Sequence, residues 1–266
     1  MSYTYLKVTI IKKQVYEITL NNPKNRNALN SLMLDEIILC LKTISEKKDC
    51  RVLIFKGEGK AFSAGADLEW MKKSIDLSID DNKKDALKFS KMLKAIDEFY
   101  CPTIAIINGH AFGGGLGIIS VCDFSIADKE AKFCFSEVKL GLIPAMIGPY
   151  ILRTIGYTIT KQLFLTGEIF DADRALQLNF VNIVVMKKYI IDERNKLINK
   201  ILLGGPKAQF EIKSYLRIIY NKHIDDNLIN NAAESISRIR VSDEGQEGIK
   251  AFLNKSKPDW HDEFTK

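Results

Sequence analysis

Glu137 is the one carboxylate in the otherwise mostly apolar segment 133–144, FCFSEVKLGLIP. A carboxyl group in apolar surroundings is pushed toward a pKa suited to acid–base work. About twenty residues upstream, Gly113-Gly114-Gly115 separate the strand-length apolar run Thr103–Asn108 from Leu116, Ile118, Ile119 and Val121, which read as a buried helix. A strand that turns through glycines into a helix leaves bare N–H groups at the helix start, and the helix dipole favours negative charge there. With no side chain in the way, a reacting oxygen can approach that backbone closely. Two structural alternatives stand beside this reading. The glycines also suit close packing, and Glu137 also suits the first turn of a following helix.

Several other chemistries are excluded by spacing. The dinucleotide pattern G-x-G-x-x-G, begun at Gly113 or Gly115, fails at Ile118 and Ser120, and no Gly-Lys-Ser/Thr phosphate loop follows. A second glycine-rich stretch, Ala61-Phe62-Ser63-Ala64-Gly65-Ala66-Asp67-Leu68, invites a nucleophile at Ser63. Gly-x-Ser-x-Gly fails there because Ala61 takes the place of the first glycine, and no histidine is near. The three histidines, His110, His223 and His261, are scattered and form no metal-ligand cluster, so no metal site is expected. His110 reads as a structural residue beside the glycine turn.

The elements that must position these residues alternate in type. Tyr5–Ile11 and Gln14–Leu20 read as a hairpin, followed by the turn-rich loop 21–27. The pattern predicts a helix from a Ser31 cap to about Lys48, with Leu34, Ile37, Ile38 and Leu41 on one face. Arg51–Lys56 reads as a strand, Asp81–Phe99 as an amphipathic helix, and Asp123–Ala127 and Lys132–Phe135 as short strands. Helices are expected at Ala145–Arg153, Ile159–Leu165 and Asp171–Leu178, and a last strand at Val181–Val185. From about Lys187 to Lys255 the period is helical, broken at Gly204-Gly205-Pro206. The whole implies a mixed α/β core with a helical C-terminal part, divided as residues 1–200 and 201–266.

Composition narrows the setting. The chain of 266 residues is 46% hydrophobic and 27% charged, an ordinary globular balance. A net charge of +6 is spread along the chain, including Lys83-Lys84 on a helix face. It argues against a nucleic-acid stripe and suits a ligand bearing phosphates. Cys40, Cys50, Cys101, Cys122 and Cys134 make no Cys-x-x-Cys pair and read as reduced, mostly buried thiols. No signal pattern opens the chain, and no apolar run approaches the ~20 residues of a membrane span, so the expected location is the cytoplasm.

Taken together, Phe62–Leu68 and Asn108-Gly109-His110-Ala111-Phe112-Gly113-Gly114-Gly115 resemble the crotonase (enoyl-CoA hydratase/isomerase) superfamily. The likeness continues through Cys122-Asp123, Phe135-Ser136-Glu137, Leu140–Pro144, Leu165-Thr166-Gly167 and Ala175-Leu176, covering roughly residues 5 to 255. It implies a spiral of ββα units with a helical C-terminal trimerisation region, assembled as a homotrimer or a dimer of trimers. It also implies an acyl-CoA thioester substrate, with coenzyme A part of the substrate and no separate cofactor. By the same resemblance the backbone N–H groups of Ala66 and Gly114 form an oxyanion hole, with Glu137 as acid/base. Arg26, Ala28, Ala64, Asp67, Leu68, Phe252 and Lys255 fall where the family contacts CoA; read alone, Lys255 is an exposed helix lysine.

One departure bears on the chemistry. Typical hydratases of the family carry a second glutamate on the helix after the glycine turn, where this chain has Gly117. Isomerases that shift a double bond from β,γ to α,β manage with the Glu137-type acid alone. The segments Ala64–Met71 and Ser136–Arg153 nevertheless look like the bacterial methylglutaconyl-CoA and isohexenylglutaconyl-CoA hydratase branch, whose resemblance implies a small residue at 117. A branched or glutaconyl-type 2-enoyl-CoA hydratase is the leading expectation. The alternatives are a 3,2-enoyl-CoA isomerase, an ordinary fatty enoyl-CoA hydratase, and a non-catalytic CoA-ester or RNA-binding scaffold. Trp70, Met71, Met146 and Tyr150 are candidates for the acyl pocket, and core packing explains them equally well.

Overall fold

The computed structural model describes residues 2–262. The N-terminal hairpin pairs β1 (Leu6–Lys12) antiparallel to β2 (Val15–Leu20), and α1 (Ser31–Lys47) buries Met33, Leu34, Ile37, Leu41 and Ile44. The cap of α1 is Asn30, not the expected Ser31: its side-chain oxygen accepts the Met33 N–H at 2.9 Å. A cap needs extended backbone just outside the helix, and Asn30 has it (φ −115°, ψ 168°), whereas Ser31 is already helical.

The chain then winds between two sheets. After β3 (Val52–Gly57) comes β4 (Ala61–Ser63), followed by α2 (Leu68–Ser74) and α3 (Ile79–Asp97). The next unit is β5 (Thr103–Ile107), β6 (His110–Phe112) and α4 (Gly114–Val121). The third is β7 (Phe124–Asp128), β8 (Lys132–Cys134) and α5 (Gly148–Thr166), after which come β9 (Ile169–Asp171), α6 (Ala172–Gln177) and β10 (Ile183–Val185). Strands β1-β2-β3-β5-β7-β10 form one sheet and β4-β6-β8-β9 the other. Each unit thus gives its first strand to the large sheet and its second to the small one, the expected spiral of ββα units. Every residue of β5 is buried, as a parallel strand covered on both faces requires.

The small sheet does the positioning. Parallel pairing sets Ser63 beside Ala111 and Phe112 beside Cys134. The segments that leave the ends of β4, β6 and β8 therefore emerge side by side, and they carry Ala64–Asp67, Gly113–Gly115 and Glu137 respectively.

Some boundaries differ from the sequence reading. The helices expected at Ala145–Arg153 and Ile159–Leu165 are one element, α5, interrupted where Gly156 leaves helical geometry (φ 75°, ψ 167°). Val181–Val185 contracts to β10. The short helix α2 was not foreseen; its start is fixed by Asp67, whose carboxylate accepts the Glu69 and Trp70 N–H groups at 3.0 and 3.2 Å.

Beyond β10 the chain is helical: α7 (Ile190–Leu202), α8 (Pro206–Ile219), α9 (Asp226–Arg240), α10 (Asp243–Leu253) and α11 (Asp259–Asp262). Helix α7 closes the outer face of the large sheet, setting Ile198, Ile201 and Leu202 against Ile54, Ile104 and Ile126. The expected division at 200/201 falls near its end. Helices α8 to α10 leave Phe210, Leu216, Ile236 and Phe252 exposed. All five cysteines are free thiols, four of them buried. Among the described residues no helix is long and apolar enough to cross a membrane.

Candidate active site

Two glycine turns stand back to back. Gly65 has φ +90°, and a Cβ placed on it would lie 2.9 Å from the Phe112 carbonyl oxygen and 3.5 Å from the Gly113 Cα. Gly113 (φ +47°, ψ −123°) donates its N–H to the Cys134 carbonyl at 2.9 Å, which ties the start of α4 to the end of β8. Only glycine takes such conformations without strain and permits so close an approach.

These turns orient two backbone donors. Ala66 is bridged to Leu29, with Leu29 N–H donating to the Gly65 carbonyl (2.7 Å) and Asp67 N–H to the Leu29 carbonyl (2.9 Å). In such a bridge the N–H of the central residue faces away from its partner. Gly114 opens α4, so its N–H has no intrahelical acceptor. Among the described residues neither the Ala66 nor the Gly114 N–H has a protein acceptor. Two free donors at the mouths of adjoining turns can hold an oxygen that gains negative charge.

Glu137 follows β8 as the first residue of a 3-10 turn, 137–140, rather than of an α-helix. Its Oε1 lies 3.2 Å from the position of a Cβ on Gly113. Its Oε2 is buried without a hydrogen-bond partner. Burial raises the carboxyl above its ordinary pKa, partly offset by a backbone hydrogen bond. A carboxylate serving only as a helix-start anion would have both oxygens engaged, and here Oε2 is not.

Hydrocarbon backs the site. A Cβ on Gly114 would meet the Phe89 ring at 2.9 Å, and one on Gly117 would meet Ile147 Cγ2 at 2.5 Å and Leu93 at 3.3 Å. Gly114 and Gly117 share a face of α4, and Phe89 and Leu93 share a face of α3.

The structure joins some of the remaining sequence candidates and separates others. Ala64 N–H donates to the Arg26 carbonyl at 2.9 Å, so Arg26, exposed and at φ +51°, and Ala64, also exposed, meet at the edge of the Gly65 turn. Ala28 is buried beside them, Leu68 is exposed, and the Asp67 carboxylate is engaged in capping α2. Phe252 lines a cavity of about 350 Å³ with Ile239, Leu253 and Trp260; no residue of either glycine turn, nor Glu137, contributes to it. Lys255 lies just past α10, exposed, at φ +54°. Trp70 donates its indole N–H to Asp85 at 2.8 Å. It lines a groove of about 680 Å³ with Tyr5, Asn30 and Asp67 that does not include Glu137. His110 Nδ1 accepts the Lys132 N–H at 3.1 Å, a structural role. Among the described residues no group of three or more potential ligands could hold a metal.

Sequence reasoning missed Asn27. Fully buried at φ +56°, its side chain accepts the Asn22 N–H and donates to the Glu58 and Ala61 carbonyls, each at 2.9 Å. Its own carbonyl accepts the Ser63 hydroxyl at 2.9 Å, and that hydroxyl oxygen accepts the Gly65 N–H at 3.2 Å. Ser63 is thus a brace for the turn. The available signal was the run of asparagines in 21–30, whose side chains replace missing backbone partners in loops.

Comparison with known proteins gives the family and the fold. The family described as Enoyl-CoA hydratase/isomerase matches residues 10–263. A crotonyl-CoA hydratase of Syntrophomonas wolfei is 33% identical over 240 residues, covering 90% of this chain and 91% of the relative. A 2,3-dehydroadipyl-CoA hydratase of Escherichia coli is 28% identical over 251 residues, covering 94% and 96%. The crystal structure of an enoyl-CoA hydratase from Shewanella pealeana superposes with a TM-score of 0.94 at 37% identity, covering 97% of each chain.

Proposed function

Because the chain belongs to the enoyl-CoA hydratase/isomerase family, we propose that it adds water to a branched or glutaconyl-type 2-enoyl-CoA, with Glu137 as acid/base. The single observation that carries this reading is the half-buried Glu137 carboxylate, its Oε2 buried and unpartnered, against the glycine turn that opens at the Gly114 N–H.

In this reading the thioester oxygen accepts the Ala66 and Gly114 N–H groups. Water attacks Cβ as Glu137 takes its proton, and the electron pair of the double bond moves onto the thioester oxygen as an enolate. Glu137 then returns a proton to Cα and the carbonyl re-forms. Each fixed donor lowers the barrier by about 3 kcal/mol, and proton transfer by a positioned side chain contributes about 10²–10⁴-fold. The raised pKa of Glu137 suits both taking and returning the proton.

Arg26, Ala28, Ala64 and Leu68 form the edge along which the CoA nucleotide lies. Phe252 and Lys255 serve a neighbouring subunit's site in a trimer built on the exposed apolar faces of α8 to α10. The likeness in 64–71 and 136–153 supports the glutaconyl-type acyl group, and a relative named for 2,3-dehydroadipyl-CoA, another acyl chain ending in a carboxylate, is in keeping with it.

A second reading rests on the lone acid. A 3,2-enoyl-CoA isomerase needs only one group to remove the Cα proton and return it at Cγ, and Gly117 leaves Glu137 without a partner carboxylate. Incubation with 3-methylglutaconyl-CoA, crotonyl-CoA and a 3-enoyl-CoA, followed by mass spectrometry, separates the two. A gain of one water on the glutaconyl ester is expected. Conversion of the 3-enoyl ester at constant mass, with no hydration of the others, overturns the hydratase reading in favour of isomerisation.

A further inference from the structure

We propose that Ile147 is a specificity-determining residue of this site: by filling the space in front of Gly117 it commits the chemistry to Glu137 alone. The inference rests on the hydratase reading above and deepens it.

The geometry is specific to position 117. At Gly114 an added Cβ would meet the far edge of the Phe89 ring, but at Gly117 it would meet the branch methyl of Ile147 at 2.5 Å, with both Leu93 methyls at 3.3 and 3.4 Å. Ile147 cannot simply swing aside. It is 2% exposed, its carbonyl accepts the Tyr150 and Ile151 N–H groups at 3.0 Å each, and a β-branched side chain is stiff at χ1. A side chain at 117 therefore requires Ile147 to shift, and its Cβ would stand against the hydrocarbon of Ile147 and Leu93.

Hydration sets two tasks, orienting the water at Cβ and exchanging the proton at Cα. With Glu137 the one titratable side chain at the turn and the proton at Cα its task, orienting the water suits an acyl group that brings its own polar function. The substrate class inferred is an enoyl-CoA with a carboxylate on the acyl chain, in preference to an unsubstituted short chain.

The test compares wild type with Gly117→Glu, Ile147→Ala and the double variant, reading thermal midpoint, the pH profile of turnover, and the rate ratio of crotonyl-CoA to 3-methylglutaconyl-CoA. Gly117→Glu alone is expected to lower the midpoint and turnover. The double variant is expected to return to the midpoint of Ile147→Ala, to raise that ratio at least tenfold over Ile147→Ala, and to add a second ionisation to the pH profile. The proposal is overturned if Gly117→Glu alone is as stable as wild type, or if the double variant folds with ratio and profile unchanged. Should the glutamate variants not fold, Gly117→Ala replaces them: destabilisation rescued by Ile147→Ala supports the packing, and no rescue overturns it. If wild type proves to isomerise without hydrating, the hydratase reading fails separately, and the pH profile of isomerisation in the double variant still decides the role of Ile147.

Discussion

Glu137 Oε1 lies 3.2 Å from the place where a Cβ on Gly113 would stand. A side chain at 113 would therefore crowd the acid, and glycine leaves that space open. One residue further on, the Gly114 N–H opens α4. The proton carrier and one proposed oxyanion donor are thus held by a single close approach.

Gly113→Ala is expected to lose on two counts. Its backbone, at φ +47° and ψ −123°, costs a residue bearing a Cβ about 1–3 kcal/mol. The new methyl also presses on Glu137, which must give by a few tenths of an ångström, and kcat is expected to fall with that displacement. Thermal unfolding and kcat measured together check both; a variant that loses stability but keeps wild-type kcat contradicts the contact.

Glu137→Gln is expected to trade activity for stability. Turnover falls by about 10²–10⁴-fold. Burial raises the Glu137 pKa in the folded protein, so between the unfolded and folded values the native state holds the extra proton. Wild type therefore loses stability as pH rises through that window, and Gln does not. The midpoint difference, Gln above Glu, should grow with pH across the window and level off above it. Wild-type turnover by the base form should fall as pH drops through the same raised value.

Asn27→Ala removes three hydrogen bonds, one buried and two partly buried, a loss of about 3 kcal/mol at about 1 kcal/mol each. Its positive φ adds to the cost, since Asn tolerates that region better than Ala. Because the Asn27 side chain also holds the Ala61 carbonyl of β4, the strand that leads into the Gly65 turn, KM for the acyl-CoA should rise as well. Denaturant unfolding with steady-state kinetics at a temperature where both proteins are folded checks the pair.

Asp67 separates capping from ligand contact. Asp67→Ala should cost about 0.5–2 kcal/mol through loss of the α2 cap, while Asp67→Asn, which still accepts the same N–H groups, should stay near wild type. A large rise in KM for Asp67→Asn with unchanged stability would instead mean that its charge meets the substrate.

Much of this was legible in the sequence, and the part that was not has physical causes. Strands β1, β2, β3, β5 and β7 are long enough for apolar periodicity, and Glu137 was conspicuous as one acid in an apolar segment. Strands β4, β6 and β9, three residues each, carry no period, so the small sheet that aligns the two turns with Glu137 was invisible locally. Position 117 could be read as lacking an acid, but Ile147 lies thirty residues away in sequence, and nothing local announced that it fills the gap. Asp67 entered as a CoA contact through the family resemblance, and the helix it caps, seven residues long, is too short to show a period in the sequence.

The central claim, that Glu137 carries the Cα proton, is tested most directly by deuterium incorporation. Wild type and Glu137→Gln convert the same enoyl-CoA in D₂O at matched saturation, and mass spectrometry reads the label at Cα of the product. The rate of labelled product formation should fall by about 10²-fold or more in Glu137→Gln with ester binding preserved. Equal rates in the two proteins would contradict the account, because the proton would then be moving through another group.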